Sequence, residues 1–107
     1  MNASGTVVIK RSELVAVATA LLQDRLNLIE GVRAICALRY SVGDPENEVF
    51  KPIRAVESET DHFPLGKMRD QCAADYLQLM DAEMTRYAIE SKQDILLACK
   101  QIIRVFS

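Results

Sequence analysis

The sequence predicts an all-α fold, a compact bundle of about five helices in which the penultimate helix is long. Apolar residues recur at helical spacing along most of the chain, whereas no window of alternating polarity is longer than the four residues TVVI. Only three prolines and four glycines interrupt the 107 residues, so turn signals are few. A chain of this length suits one domain with a modest core, which we assign to residues 12–107.

Residues 1–11 are predicted to form a flexible or short extended lead-in before the first helix. They show no basic stretch followed by an apolar one, so we expect no signal peptide. The first helix is predicted to begin at Ser12, whose side chain is a favourable N-cap. Its apolar stripe consists of Leu14, Val15, Ala18, Leu21 and Leu22.

A second helix is predicted to begin at Asn27, a good capping residue, and to end before Gly43. Its inward stripe consists of Leu28, Ile29, Val32, Ile35 and Cys36. Arg33 and Arg39 fall outside this stripe and are expected to turn away from the core. Gly31 costs about 1 kcal/mol relative to alanine inside a helix, so we expect it to mark a close contact between helices.

The segment DPENEVFKPIRAVESE is predicted to form two short helical turns, or one helix restarted at Pro52. Asp44 before Pro45 is a favourable helix start, because the missing N–H of proline costs nothing in a first turn. Pro52 then interrupts the helical pattern. The side chains expected to face inward are Val49, Phe50, Ile53 and Val56.

The longest helical pattern runs from Lys67 to about Ser91 and predicts the long penultimate helix. Its stripe consists of Met68, Cys72, Tyr76, Leu77, Met80, Met84, Tyr87 and Ala88. A final helix is predicted over residues 92–106, where the apolar positions again fall on one face. These positions are Ile95, Leu96, Cys99, Ile102, Ile103 and Phe106.

Charge is unevenly placed along the chain. The net charge is −2, but residues 44–61 carry six acids against two bases. Basic side chains form no cluster, so we expect no nucleic-acid binding. No apolar run approaches the roughly 18 residues of a membrane span, so we expect no membrane insertion. The three cysteines are odd in number and far apart, which favours reduced, buried thiols in the cytoplasm.

Catalytic and metal-binding patterns are not evident in the sequence. The chain has one histidine, and its three thiols fall in separate predicted helices without zinc spacing. It also contains no nucleophile motif and no glycine-rich phosphate loop. We therefore expect no catalytic residue, no metal, no cofactor and no enzyme activity.

One short segment, ESETDHFPLGKMR, concentrates the candidate site residues. It contains the acids Glu57, Glu59 and Asp61, the only histidine, His62, and the base Arg69. The first interpretation is a helix junction, because serine, threonine, proline and glycine stop one helix and start the next. The other is an exposed negative patch that binds a basic partner or ligand. The two interpretations are compatible, because the acids and the histidine exceed what a junction requires, and this surplus of charge marks the place where we expect a partner to bind.

Two further possibilities remain open for the same residues. The chain could be a small-ligand-binding protein or minor enzyme, with a pocket at the junction 57–69 built from Glu57, Asp61, His62 and Arg69. It could also be a homodimer that buries one helix stripe. The first needs a cavity between helices, whereas the second needs an exposed apolar stripe.

Several motifs resemble those of a widespread group of small uncharacterised bacterial proteins. The similar residues are EVF, then SETDHFPLGKMR, which fits an SETD-x-x-P-x-G-x-x-R core, and DILLACKQIIRVF. Cys99 and Lys100 stand where the group has a Cys-Arg step, and the tryptophan-containing turn after the core is missing. The resemblance covers about residues 12–106 and implies a bacterial cytoplasmic protein. By association it also implies an immunity protein that binds and neutralises a toxin.

Together these observations predict a small cytoplasmic protein-interaction module. An acidic surface steers a basic partner and raises its rate of association. The expected partner is therefore a protein, in particular a basic toxin domain.

Overall fold

The computed structural model describes residues 5–107 and confirms the all-α fold, with no strand in that part of the chain. Within these residues the α-helices are α1 (Gly5–Leu22), α2 (Leu28–Leu38), α3 (Lys51–Thr60) and α4 (Ala74–Phe106). Short 3-10 helices lie in the connections at Arg39–Ser41, Glu48–Phe50 and Gly66–Gln71.

Helices α1 and α4 form the largest helix–helix contact and run antiparallel. Arg11, in the first half of α1, lies over the ring of Phe106 at the end of α4. Asp24, just past the end of α1, lines a cavity with Met84 in the first half of α4. Helix α2 packs against both α1 and α3. The largest fully buried side chains are Phe50, Leu14, Ile29, Ile35, Ile53, Ile95 and Ile102.

Helix α1 begins earlier than the sequence pattern predicts. It starts at Gly5, so the predicted start at Ser12 is wrong and residues 5–11 are helical rather than extended. The rest of the predicted lead-in, residues 1–4, lies outside the described residues. Val8 and Ile9 are exposed on this first part of α1, so apolar periodicity does not mark it. The stripe through Leu14 is nevertheless buried as predicted.

The predicted cap and glycine contact of α2 are both confirmed. The side-chain oxygen of Asn27 accepts hydrogen bonds from the amides of Ile29 and Glu30, at 3.0 and 3.1 Å. A Cβ atom added to Gly31 would lie 2.4–2.7 Å from side-chain atoms of Leu21 in α1. Glycine at position 31 therefore lets the two helices approach closely.

Arg39 is buried, which corrects the prediction that it turns away from the core. Only 6% of its surface is exposed. Its guanidinium donates to the carbonyl oxygen of Pro45 and to the carboxylate of Glu46, and it lies over the ring of Tyr40. These contacts replace the hydrogen bonds to water that the cation loses on burial.

The segment around Pro52 combines a 3-10 helix with α3. Asn47, rather than Asp44, caps the 3-10 helix Glu48–Phe50, because its side chain accepts from the amide of Val49. Helix α3 follows directly, with Pro52 in its first turn. The predicted restart at Pro52 is therefore confirmed, and the predicted helix start at Asp44 is wrong.

The last two predicted helices are one continuous helix, so the long helix is the final one and not the penultimate. It begins at Ala74, and the preceding residues from Gly66 form a 3-10 helix instead. No glycine or proline interrupts the sequence of α4. Met84 and Ile95 are eleven residues apart, about three turns, so both predicted stripes share one face. Met68 and Tyr76, predicted to face inward, are exposed.

Candidate functional site

The structure gives the two glutamates of the predicted site different surroundings. Glu57 and Glu59 are two residues apart on α3, about 200° around the helix, so they face different neighbours. Glu57 lies beside the thiol of Cys36 in α2, where burial first and then the Glu57 charge raise the pKa of Cys36 to about 12. Glu59 instead accepts a hydrogen bond from the hydroxyl of Tyr87 in α4.

Asp61 and His62 follow the end of α3, and both are exposed. The imidazole of His62 lies against the ring of Phe63, with ring centroids 4.2 Å apart. Phe63 itself is buried, as the helix-junction interpretation expects. Arg33 from α2 stabilises this junction, because its guanidinium donates hydrogen bonds to the carbonyl oxygens of Thr60 and Phe63, at 2.7 and 2.9 Å.

Arg69 is engaged in a structural ion pair. Its guanidinium nitrogens donate to the two carboxylate oxygens of Asp81 in α4, both at 2.7 Å, and one also donates to the carbonyl oxygen of Pro64. The hydrogen bonds from Arg69 lower the pKa of Asp81. The predicted pocket of Glu57, Asp61, His62 and Arg69 is therefore divided, since Glu57 faces α2 and Arg69 binds α4.

The larger feature beside these residues is a groove between α3 and α4, with a volume of about 710 Å³. We call it the α3–α4 groove. Of the five predicted site residues, only Glu59 lines it. Its lining residues are Glu48, Val49, Pro52, Ala55, Val56, Glu59, Tyr87, Ser91, Asp94, Leu97, Ala98 and Gln101. In the described part of the chain, the lining thus combines apolar and small side chains with three carboxylates and no basic side chain.

The helical spacing of residues along α4 explains which of them line the groove. On α4, five of the lining residues follow one another at intervals of four or three positions, which places them on one face beside the core stripe. These are Tyr87, Ser91, Asp94, Ala98 and Gln101. Apolar periodicity does not reveal this face, because most of its residues are small or polar and Tyr87 belongs to the predicted core stripe. Small side chains at helical spacing were the available signal.

A second cavity of about 280 Å³ continues from the groove, and we call it the junction cavity. It is lined by Glu59, His62, Phe63, Glu83, Arg86, Tyr87 and Glu90. Glu59 and Tyr87 line both spaces, so their hydrogen bond stands at the boundary between them. Burial, followed by this hydrogen bond, raises the pKa of Tyr87.

The cysteines differ in their exposure. Cys36 and Cys99 are buried, as predicted, and burial raises the pKa of Cys99 to about 11. Cys72, which was assigned to the core stripe, is instead half-buried at the end of the 3-10 helix Gly66–Gln71. In the described part of the chain, all three thiols are free of disulfides.

Two further observations concern metals and membranes. Among residues 5–107, no group of three or more histidine, cysteine, aspartate or glutamate side chains is placed to hold a metal ion. Over the same residues, none of the helices combines the length and the apolar character that crossing a bilayer requires.

Comparison with other proteins places the chain in a family. No curated protein and no solved structure matches it. The family model described as "Protein of unknown function (DUF2489)" matches residues 10–102, which include most of α1, all of α2 and α3, and most of α4. The chain therefore belongs to the DUF2489 family.

Proposed function

We propose that this chain is a protein-interaction module of the bacterial cytoplasm, which binds another protein through the α3–α4 groove. The observation that supports the proposal is an open groove of about 710 Å³ with an apolar lining and an acidic edge. Leu97 lines this groove and is 59% exposed, although its neighbours Ile95 and Ala98 on α4 are buried. Covering such a side chain removes apolar surface from water, which contributes about 25 cal/mol per Å² to binding.

The charge of the groove favours a basic partner. Glu48, Glu59 and Asp94 line it, and among residues 5–107 neither a lysine nor an arginine does. Two of these acids come from the acidic segment 44–61. Carboxylates at the edge of an apolar surface attract a cationic partner and disfavour phosphate-bearing ones.

Within this proposal, the partner is a toxin and the chain is an immunity protein that neutralises it. The acidic edge of the groove supports a basic toxin domain as the bound surface. An immunity protein needs affinity and not catalysis, so it needs neither a metal nor a cofactor. We therefore propose that binding alone blocks the toxin.

The experiment co-expresses the chain with the product of the adjacent gene in its own genome and measures the dissociation constant and the protection of growth. Leu97→Glu places a fourth carboxylate in the groove, and we expect it to weaken binding about tenfold, equivalent to about 1.4 kcal/mol. Leu79→Glu is the matched control, since Leu79 lies on the same helix outside the groove and is 57% exposed.

Three outcomes would contradict the proposal. One is that the neighbouring gene product neither binds the chain nor harms cells that lack it. Another is an equal loss of binding in the Leu97 and Leu79 variants, because it would show that the groove is not the interface. The third is a concentration-dependent dimer, measured by light scattering at two concentrations, that Leu97→Glu disrupts. That result would assign the groove to a second copy of this chain.

A small-ligand-binding protein or minor enzyme is the second candidate, because the junction cavity brings His62 and Glu59 together. It differs from the pocket predicted from sequence, since neither Glu57 nor Arg69 lines it. A metabolite that raises the melting temperature would favour this candidate if His62→Ala abolished the shift and Leu97→Glu preserved it.

A further inference from the structure

We propose that the partner segment carries a lysine or arginine side chain that enters the junction cavity while the apolar part of the segment lies in the α3–α4 groove. This inference rests on the proposed function and specifies the chemistry of the partner. It commits to a protein segment with apolar residues on one side and a cationic side chain at one end.

The two spaces are arranged in line. Along α4, the groove runs from Gln101 back to Tyr87, and the junction cavity continues to Glu83. Along α3, the groove runs from Pro52 to Glu59, and the junction cavity follows at the end of the helix. From Gln101 to Glu83 the helix rises about 27 Å, which a helical segment of roughly 18 residues or a shorter extended one could cover. A segment in the groove therefore meets the junction cavity at one defined end.

The charges lining the junction cavity favour a cation. Glu59, Glu83 and Glu90 contribute three carboxylates, and Arg86 contributes one guanidinium. One carboxylate oxygen of Glu59 accepts a hydrogen bond from the Tyr87 hydroxyl, which leaves the other oxygen available to a ligand. The remaining excess of carboxylate over guanidinium would repel a phosphate and attract an ammonium or guanidinium group.

Aromatic rings line the same cavity and strengthen the argument for an organic cation. Phe63, Tyr87 and His62 contribute rings, and those of His62 and Phe63 are in contact. Ring faces attract lysine and arginine head groups, and carboxylates form charge-assisted hydrogen bonds with them. The groove, in contrast, offers Val49, Leu97 and other apolar side chains for the rest of the segment. The change from apolar to acidic and aromatic lining sets the orientation of the segment.

The test uses capped amino acids, so it does not require the natural partner. Nitrogen-15-labelled protein is titrated with N-acetyl-arginine amide, and the amide signals of His62, Glu83 and Tyr87 are followed by NMR. N-acetyl-citrulline amide is the matched probe, because it keeps the shape of arginine and lacks its charge. N-acetyl-leucine amide reports on the groove through the signals of Leu97 and Ala98.

We expect the arginine probe to shift the junction-cavity signals and to bind at least about threefold more tightly than the citrulline probe. Glu83→Gln and Glu90→Gln should each weaken the arginine probe about two- to fivefold, the effect of one partly exposed ion pair. Asp70→Asn is the control, since Asp70 is an exposed acid that lines neither space. Leucine-probe binding should be the same in all these variants.

Equal affinity for the arginine and citrulline probes would overturn the inference, as would arginine shifts confined to residues outside the junction cavity. If the leucine probe still binds the groove, and the partner still binds the protein, such a result leaves the proposed function intact. Failure of the partner to bind the protein would instead reject the proposed function and, with it, this inference.

Discussion

The substitution Gly31→Ala tests the close contact between α1 and α2. The added methyl group would lie 2.4 Å from Cδ2 of Leu21 and 2.7 Å from both Cδ1 and Cγ. Leu21 is only 3% exposed, so its side chain has no free solvent to move into. Alanine is also the better helix former, and the two effects therefore oppose each other.

The sizes of these two effects decide whether Gly31→Ala raises or lowers the free energy of unfolding. Alanine gains about 1 kcal/mol over glycine inside a helix. Overpacking a well-filled core costs roughly 1–3 kcal/mol, because side chains or backbone must shift. We expect Gly31→Ala to lower the free energy of unfolding by about 1 kcal/mol. In a Leu21→Ala background the overlap is gone, so the same substitution should raise the free energy of unfolding by up to about 1 kcal/mol.

Urea denaturation followed by far-UV circular dichroism measures all four proteins of this cycle. Leu21→Ala alone should cost about 2–5 kcal/mol, typical of a buried leucine. Gly5→Ala is the control, since a Cβ atom at Gly5 would meet no atom of the described residues within 4 Å. Stabilisation of the parent protein by Gly31→Ala would refute the reasoning. A coupling energy near zero would also refute it.

Three more predictions concern the junction and the thiols. Asp81→Asn should lower the urea midpoint at neutral pH, because it removes the ion pair with Arg69. That pair lowers the pKa of Asp81 in the folded state, so the stability it contributes is fully present above the ordinary aspartate pKa of about 3.9. The difference in stability between the variant and the parent protein should therefore disappear progressively as the pH falls below that value. Arg33→Met should lower the free energy of unfolding by about 2 kcal/mol, because two backbone carbonyl oxygens lose a charged donor. Iodoacetamide at pH 8 should label Cys72 in the folded protein much faster than Cys36, as mass spectrometry would show, because Cys36 is buried and its pKa is raised to about 12.

Each of these predictions has a result that contradicts it. A deficit of Asp81→Asn that persists unchanged at acidic pH would show that the carboxylate charge is not the cause. Arg25→Met is the control, because Arg25 is exposed, and it should leave the free energy of unfolding unchanged. If Arg33→Met changed the free energy of unfolding no more than Arg25→Met, Arg33 would not stabilise the junction. Equal labelling rates of Cys36 and Cys72 in the folded protein would show that burial does not protect Cys36. In guanidinium chloride both should react alike.

The sequence determined the helices whose apolar stripes face the core. Asn27 caps α2 as predicted, and the stripe through Ile95 and Ile102 is buried, because capping and periodicity are local properties of the chain. The continuity of α4 was also present in the sequence, since no glycine or proline interrupts it. The beginning of α1 was not, because Val8 and Ile9 carry no inward stripe.

The site depended on the tertiary structure. Only the packing of α3 against α4 shows that Glu59 faces Tyr87, and only the packing of α3 against α2 shows that Glu57 faces Cys36. Arg39 is buried because Pro45 and Glu46 supply its hydrogen bonds, and the residue spacing before Arg39 does not predict those partners. The groove itself joins residues about 40 positions apart. Periodicity within one helix fixes which residues share a face, but a cavity requires two faces to meet, and long-range packing alone brings them together.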